Sequence, residues 1–498
     1  MNVNPITRLD YPDLDVIRVE DTYYMVSTTM HFMPGCEILQ SFDLVHWEHV
    51  TYVYETLDHT DAQQLKSGQN IYGQGMWAAS LRYHEGRFCI CFVANDTRKT
   101  YLYTSEKIDG PWKKQLIEGF YHDGSLLFDE DGRNYIVYGN DEIWITELNE
   151  DLTAPKKDGL HRLLVSDHKN PELGYEGSHI QKINGYYYIF LIHSLRDRWM
   201  RTEACFYSDS LEGEFTGGDV LCDDRGYCGQ GVAQGGIVDT PDGKWYAMLF
   251  QDSGAVGRIP ILLPVTWKDH FPFFGQNGHV PEEIEVHSTR PGYIYQPLVG
   301  SDDFCNGLLP RWQFNHDPDP RYYHLDALQG TYTITTREVC TELTQAVNTL
   351  TQRMSYPSCA AEVTVDASAL KEGDVAGLCA LQSCYAAVGI TKHHGKYEVL
   401  MLDKKEDGIL DMTEGTVVES HQMDFRLEAD FCNMKDEAHC YYRVNKGDWI
   451  PIGTVHKLYF KLDHFTGCRF GLFCYAAEET GGSACFRDFK YYDVDEIS

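Results

Sequence analysis

From Val19 to Phe250 one alternation of polar and apolar positions recurs. An acid or Asn comes first, then a tight turn, then aromatics that open an apolar strand. It reads "VEDTYYMVS" from Val19, "HEGRFCICF" from His84, "DEDGRNYIVYG" from Asp129, "KINGYYYIFL" from Lys182 and "TPDGKWYAMLF" from Thr240. The turn residues Asp21, Gly86, Gly132, Gly185 and Gly243 are 65, 46, 53 and 58 positions apart. Each copy is a hairpin signal, with Glu-Gly, Asp-Gly or Asn-Gly supplying the turn in four of the five. All-β units repeating at this interval are the mark of propeller blades of four strands each. Five copies predict five blades.

After "LPVTWKDHFPFFG" the chain becomes a connector, "HSTRPGYIYQPLVGSDDF". Beyond it, "CAAEVTVDAS", "YAAVGITK", "YEVLML" and "KLYFKLDHF" alternate with short turn signals and show little helical periodicity. That pattern predicts a sandwich of two antiparallel sheets. The expected organisation is all-β, with a propeller over residues 1–298 and a β-sandwich over residues 299–498.

Composition narrows the class. Hydrophobic residues are 43% and aromatic residues 13%, enough for large cores with rings left over for a ligand. No apolar run reaches the roughly 18 residues that span a bilayer, so no membrane partner is expected. The first residues, "MNVNPITRL", show no basic segment followed by an apolar one, which points to a cytoplasmic protein. The sixteen cysteines are scattered without zinc spacing and read as reduced thiols, with Cys89 and Cys91 acting as small apolar strand residues. A net charge of −33 repels phosphate backbones, which excludes nucleic acid and leaves a neutral ligand. Nothing in the chain excludes a homo-oligomer.

Three acids stand at one structural position in the repeats. Asp13 precedes the inner strand of the first blade in "RLDYPDLDVIRVEDTYY", Asp123 precedes another in "YHDGSLLFDEDG", and Glu176 a third in "GYEGSHIQKINGYYY". A propeller gathers the starts of its inner strands around one axis, so these carboxylates can converge. Two acids across a pocket suit glycoside cleavage, one protonating the leaving oxygen and the other activating water or attacking carbon. A third acid nearby raises the donor's proton affinity. Each acid taken singly reads as a turn cap, since Asp beside Pro or Gly caps nearby amides, and only the three together bring the catalytic reading level with it.

These motifs resemble glycoside hydrolase family 43, whose members are five-bladed propellers with an inverting mechanism, and the likeness covers almost the whole chain. The resemblance puts Asp13 at the general-base position, Asp123 ("DGSLLF") at the pKa-modulating position and Glu176 ("EGSHI") at the general-acid position. It leaves Asp10 and Asp15 as turn residues. An inverting pair implies a separation of roughly 6.5–9.5 Å between Asp13 and Glu176. "GMWAASLRYHEGRF" resembles the segment whose Trp, here Trp77, walls the sugar pocket, and "AVGRIPILLPVTW" the segment carrying a pocket arginine, here Arg258.

The region beyond the connector resembles the concanavalin A-like sandwich of the xylosidase-like branch, through "LLPRWQFNHDPDPRYYHL" and "LTQRMSYPSCAAEVTVD". That domain can lend an aromatic to the pocket rim, and Phe465 in "DHFTGCRFG" is the candidate. The branch's Phe-Glu-Trp-Phe-Pro-Gly appears here as "MHFMPG", so Met30 and His31 are expected at the pocket wall, with Met30 accepting a different sugar shape.

The resemblance implies an exo-acting enzyme for terminal α-L-arabinofuranosyl or β-D-xylosyl residues of plant-wall oligosaccharides. In the cytoplasm its partner is a small imported oligosaccharide. It implies no required cofactor. Gln234 stands where many members carry a His near the axis, which weakens the expectation of an axial calcium. Two other activities fit the residues: a retaining fructosidase-like propeller, and a propeller that binds sugar without cleaving it.

Overall fold

The five turn signals fall between the first and second strands of five four-stranded antiparallel sheets in the computed structural model, which describes residues 3–493. The innermost strands of these blades are Asp15–Val19, Met76–His84, Ser125–Phe128, Glu176–Ile183 and Val232–Asp239. In four of the turns a glycine adopts a left-handed backbone, as at Gly132 with φ 81°. The first blade turns through Glu20 (φ 56°) instead.

The second strands explain the apolar runs. In Arg87–Ala94, "RFCICFVA", Phe88, Ile90 and Phe92 face Val26 and Ile38 of the first blade. The intervening Cys89 and Cys91 face Leu126 and Ile136 of the third. Both faces of the strand are therefore buried, so the usual polar alternation disappears. Burial pushes the Cys91 thiol up to about 12, and all sixteen cysteines are free.

Below the mouth of the propeller the axis is crossed by a guanidinium. Arg82 donates to Asp15 Oδ2 (2.6 Å), Ser125 Oγ (2.8 Å), Leu126 O (2.9 Å) and Ile180 O (3.1 Å), joining four blades. Asp15 also accepts from Leu81 N and lies 3.2 Å from His179 Nδ1. Burial raises its carboxyl, but Arg82 and His179 outweigh this and hold it at about 2. This corrects the sequence reading of Asp15 as a turn residue. It is fully buried and bonds across the axis, not to its own turn.

The second domain packs a nine-stranded sheet against a seven-stranded one. Their shared core includes Trp312, Phe314, Val363, Leu378, Phe425 and Phe486. The domains are not simply consecutive. A two-residue strand of the first blade, Phe32–Met33, pairs with Gln313–Asn315 and forms the edge of the nine-stranded sheet. "MHFMPG" is therefore a segment of the domain interface.

Candidate active site

The mouth of the propeller is built on local backbone irregularity. Asp13 (φ 51°) and Asp123 (φ 48°) take left-handed conformations just before their inner strands. The inner strands beginning at Met76, Glu176 and Val232 each shift register near their starts. Such bulges re-aim side chains, and here they carry Trp77, Gly177 and Gln234. Left-handed Asp is uncommon and costs strain, and strain of this kind collects at functional sites.

Asp13 is buried and held on two sides. Thr28 Oγ1 donates to its Oδ2 (2.8 Å), and Arg258 Nη1 lies 3.0 Å from Oδ1 and 3.3 Å from Oδ2. Arg258 opens a strand of the fifth blade, and its guanidinium carbon is 4.3 Å from the Phe465 ring centroid. Its Nη2 also reaches Phe465 O at 3.4 Å. Phe465, from the sandwich, thus roofs the arginine.

Asp10 makes that roof possible. Its Oδ1 accepts from Arg258 N and its Oδ2 from Gly467 N, both at 2.7 Å. The reading of Asp10 as a turn residue is corrected here: its carboxylate bridges backbone of the propeller and of the sandwich.

Across the mouth, Asp123 Oδ2 accepts from Gly177 N (3.0 Å) and Glu176 Oε2 from Asn140 Nδ2 (2.6 Å). Between them stands His122, its Nε2 3.6 Å from Asp123 Oδ2 and 3.5 Å from Glu176 Oε2. Burial raises Asp123, His122 pulls it down, and Glu176 and Asp13 push it up again, leaving it at about 6. For His122, burial lowers proton affinity, but Asp123, Glu176 and Asp13 outweigh that and raise it to about 9. Glu176 keeps 22% of its side chain exposed, whereas the Asp123 side chain keeps 7%.

The Trp77 ring spans the two sides, 5.8 Å from His122 and 5.5 Å from Phe465. The structure therefore links Asp13, Arg258, Phe465, Trp77, His122, Asp123 and Glu176 through direct neighbours. Met30 is buried next to this wall, its backbone paired with Met76, which precedes Trp77. Gln234 lies against Gly177, where a Cβ would come within 2.7 Å of its Cδ, and the left-handed backbone there (φ 65°) favours glycine after Glu176.

His31 is not at the pocket. Its ring is fully buried at the domain interface among Phe32, Tyr72, His316 and His464, with centroid distances of 4.3–5.0 Å. Pairing of Phe32–Met33 with the sandwich turns His31 inward, and burial drives its proton affinity well down.

Sequence reasoning missed His122, Asn140 and Thr28. Only His122 left a signal, as the neighbour of Asp123 in "YHDGS". Among the described residues, His122, Asp123 and Glu176 are also the group whose ligand atoms converge closely enough, within 4.8 Å, to hold a metal ion.

Comparisons with known proteins follow the same division. Residues 3–272 match the family described as "Glycosyl hydrolases family 43", and residues 301–492 match "Beta xylosidase C-terminal Concanavalin A-like domain". A β-xylosidase of Formosa agariphila is 26% identical over 99% of this chain and 89% of its own length. The xylosidase/arabinosidase 43B of Humicola insolens is 25% identical over 98% and 96%. The solved bifunctional GH43-CE protein of Bacteroides eggerthii superposes with a TM-score of 0.92 at 42% identity over 99% of this chain. The chain spans only 63% of that protein's length. A GH43 glycoside hydrolase engineered to show both endo-xylanase and exo-arabinofuranosidase activity superposes with a TM-score of 0.87 at 27% identity, over 99% of both chains.

Proposed function

The chain belongs to glycosyl hydrolase family 43, and from that premise we propose an exo-acting, inverting enzyme that releases terminal α-L-arabinofuranosyl or β-D-xylosyl residues from short arabinoxylo-oligosaccharides. Xylosidase and arabinosidase relatives support the two sugars. The observation that carries the chemistry is the division of the mouth: Asp13 held by Arg258 and Thr28 on one side, Glu176 beside Asp123 and His122 on the other.

In this reading Asp13 accepts a proton from water as the water oxygen bonds to the anomeric carbon. The bond from that carbon to the leaving oxygen breaks, and Glu176 gives that oxygen its proton. The products are a free sugar of inverted configuration and an oligosaccharide shortened by one residue. Asp13 needs its charge, which Arg258 stabilises without taking its proton, since a guanidinium stays protonated. Glu176, the more exposed acid, faces the leaving group. Phe465 roofs Arg258 beside the base and Trp77 links it to His122, a wall that favours a chain end over a chain interior. Calcium has no part in this reading.

A panel of nitrophenyl glycosides with linear and branched xylo- and arabino-oligosaccharides tests the proposal. Wild type should release terminal arabinose or xylose, and Asp13→Asn and Glu176→Gln should each lower turnover of the oligosaccharides by about 10²–10⁴-fold. Unimpaired turnover in either variant, or no release from any substrate, refutes it.

A further inference from the structure

We propose that His122 is a positioning residue for proton donation: its imidazolium, lodged between Asp123 and Glu176, keeps Asp123 ionised so that the single proton of the acid pair stays on Glu176. This rests on Glu176 being the proton donor.

The geometry is specific. His122 Nε2 lies almost equidistant from one oxygen of each acid, 3.6 and 3.5 Å away. That nitrogen is buried and has no hydrogen-bond partner among the described residues. Trp77 covers the ring. The ionisable groups facing His122 are the carboxylates of Asp123, Glu176 and Asp13, and the charge of Asp13 is already countered by Arg258. Charge balance at the donor side therefore falls to His122.

Two neighbouring carboxylates resist ionising together, so they compete for one proton. Which acid holds it decides whether the site works. Asp123 is the more deeply buried, and burial favours its neutral form. Left to itself, Asp123 competes for the proton that the leaving oxygen needs. A cation between the two opposes that order, because it favours the ionised form of buried Asp123. Gly177 N–H on Asp123 acts in the same direction.

The test compares pH profiles of kcat/KM for wild type, His122→Gln, His122→Lys and Glu176→Gln on a xylo-oligosaccharide and on a dinitrophenyl glycoside, whose leaving group needs no proton. For His122→Gln we expect a loss of about tenfold or more on the oligosaccharide. The dinitrophenyl substrate should show a smaller loss, and the alkaline limb should move up by about one pH unit. His122→Lys should restore the wild-type limb and part of the rate. If His122→Gln does not fold, His122→Asn carries the same comparison.

Equal losses on both substrates, an unmoved alkaline limb in the neutral variant, or identical profiles for the Gln and Lys variants overturn the inference. Glu176→Gln separates the two levels. If it still cleaves the oligosaccharide, the donor assignment itself fails. If it is inactive while His122→Gln behaves as wild type, only the role of His122 fails.

Discussion

Arg258 and Asp13 form a buried pair in which one guanidinium nitrogen reaches both carboxylate oxygens, at 3.0 and 3.3 Å. The acid comes from the first blade and the arginine from the fifth, so closure of the propeller is what assembles the base. Lysine is a point charge on a flexible stem and does not reproduce the planar contact or the stacking under Phe465. Arg258→Lys should lower kcat/KM on nitrophenyl glycosides by about 10²-fold. A loss below twofold would mean the pair is dispensable.

Asp10 ties Arg258 N to Gly467 N, two amides 209 positions apart in the chain. Hydrogen bonds to a charged group contribute about 1.5–3 kcal/mol each. Asp10→Ala should lower Tm, and it should raise KM because Phe465 is no longer held over Arg258. Combined with Phe465→Ala, the kinetic effects should be less than additive, since both changes act on one roof. Fully additive losses would separate Asp10 from the pocket.

His31→Phe tests the correction made to "MHFMPG". The His31 ring is packed among other rings and does not reach the pocket. The substitution should shift Tm while the ratio of arabinoside to xyloside rates stays within about twofold, as expected for a site with no substrate contact. A change in that ratio of tenfold would place His31 in the sugar site after all.

Acid should loosen the domain interface within a defined window. Glu37 is buried against Arg353 of the sandwich, their closest atoms 2.8 Å apart. Burial raises the Glu37 carboxyl, but Arg353 and His49 outweigh it and hold it at about 2, below its ordinary 4.5. A depressed folded-state value means the stabilisation is complete above pH 4.5 and is lost as pH falls towards 2. Asp15, paired with Arg82, adds to the same slope. Melting curves should therefore show a fall in Tm as pH drops below about 4.5. Glu37→Gln should lower Tm at neutral pH and flatten part of the acid slope.

What the sequence disclosed follows from how local each signal is. A blade hairpin is written in two turn residues and the strands beside them, so all five could be read directly. Asp13, Asp123 and Glu176 sit in short motifs at equivalent places, which makes their convergence legible. Asp10 and Asp15 carry the same local signal as any turn acid. Their work depends on Gly467 and Arg82, which only the folded chain brings near. His122 lies beside Asp123 in sequence, but its meaning needs Glu176, 54 positions away. His31 was misplaced because a two-residue strand joining another domain leaves no periodicity to read.

Proton NMR of the first-formed sugar tests the central claim most directly, because the anomer released reports whether water or an enzyme carboxylate attacks the anomeric carbon. With Asp13 as base and Glu176 as acid, the sugar should first appear with inverted configuration and mutarotate afterwards. First release with retained configuration would mean a covalent intermediate and contradict the account.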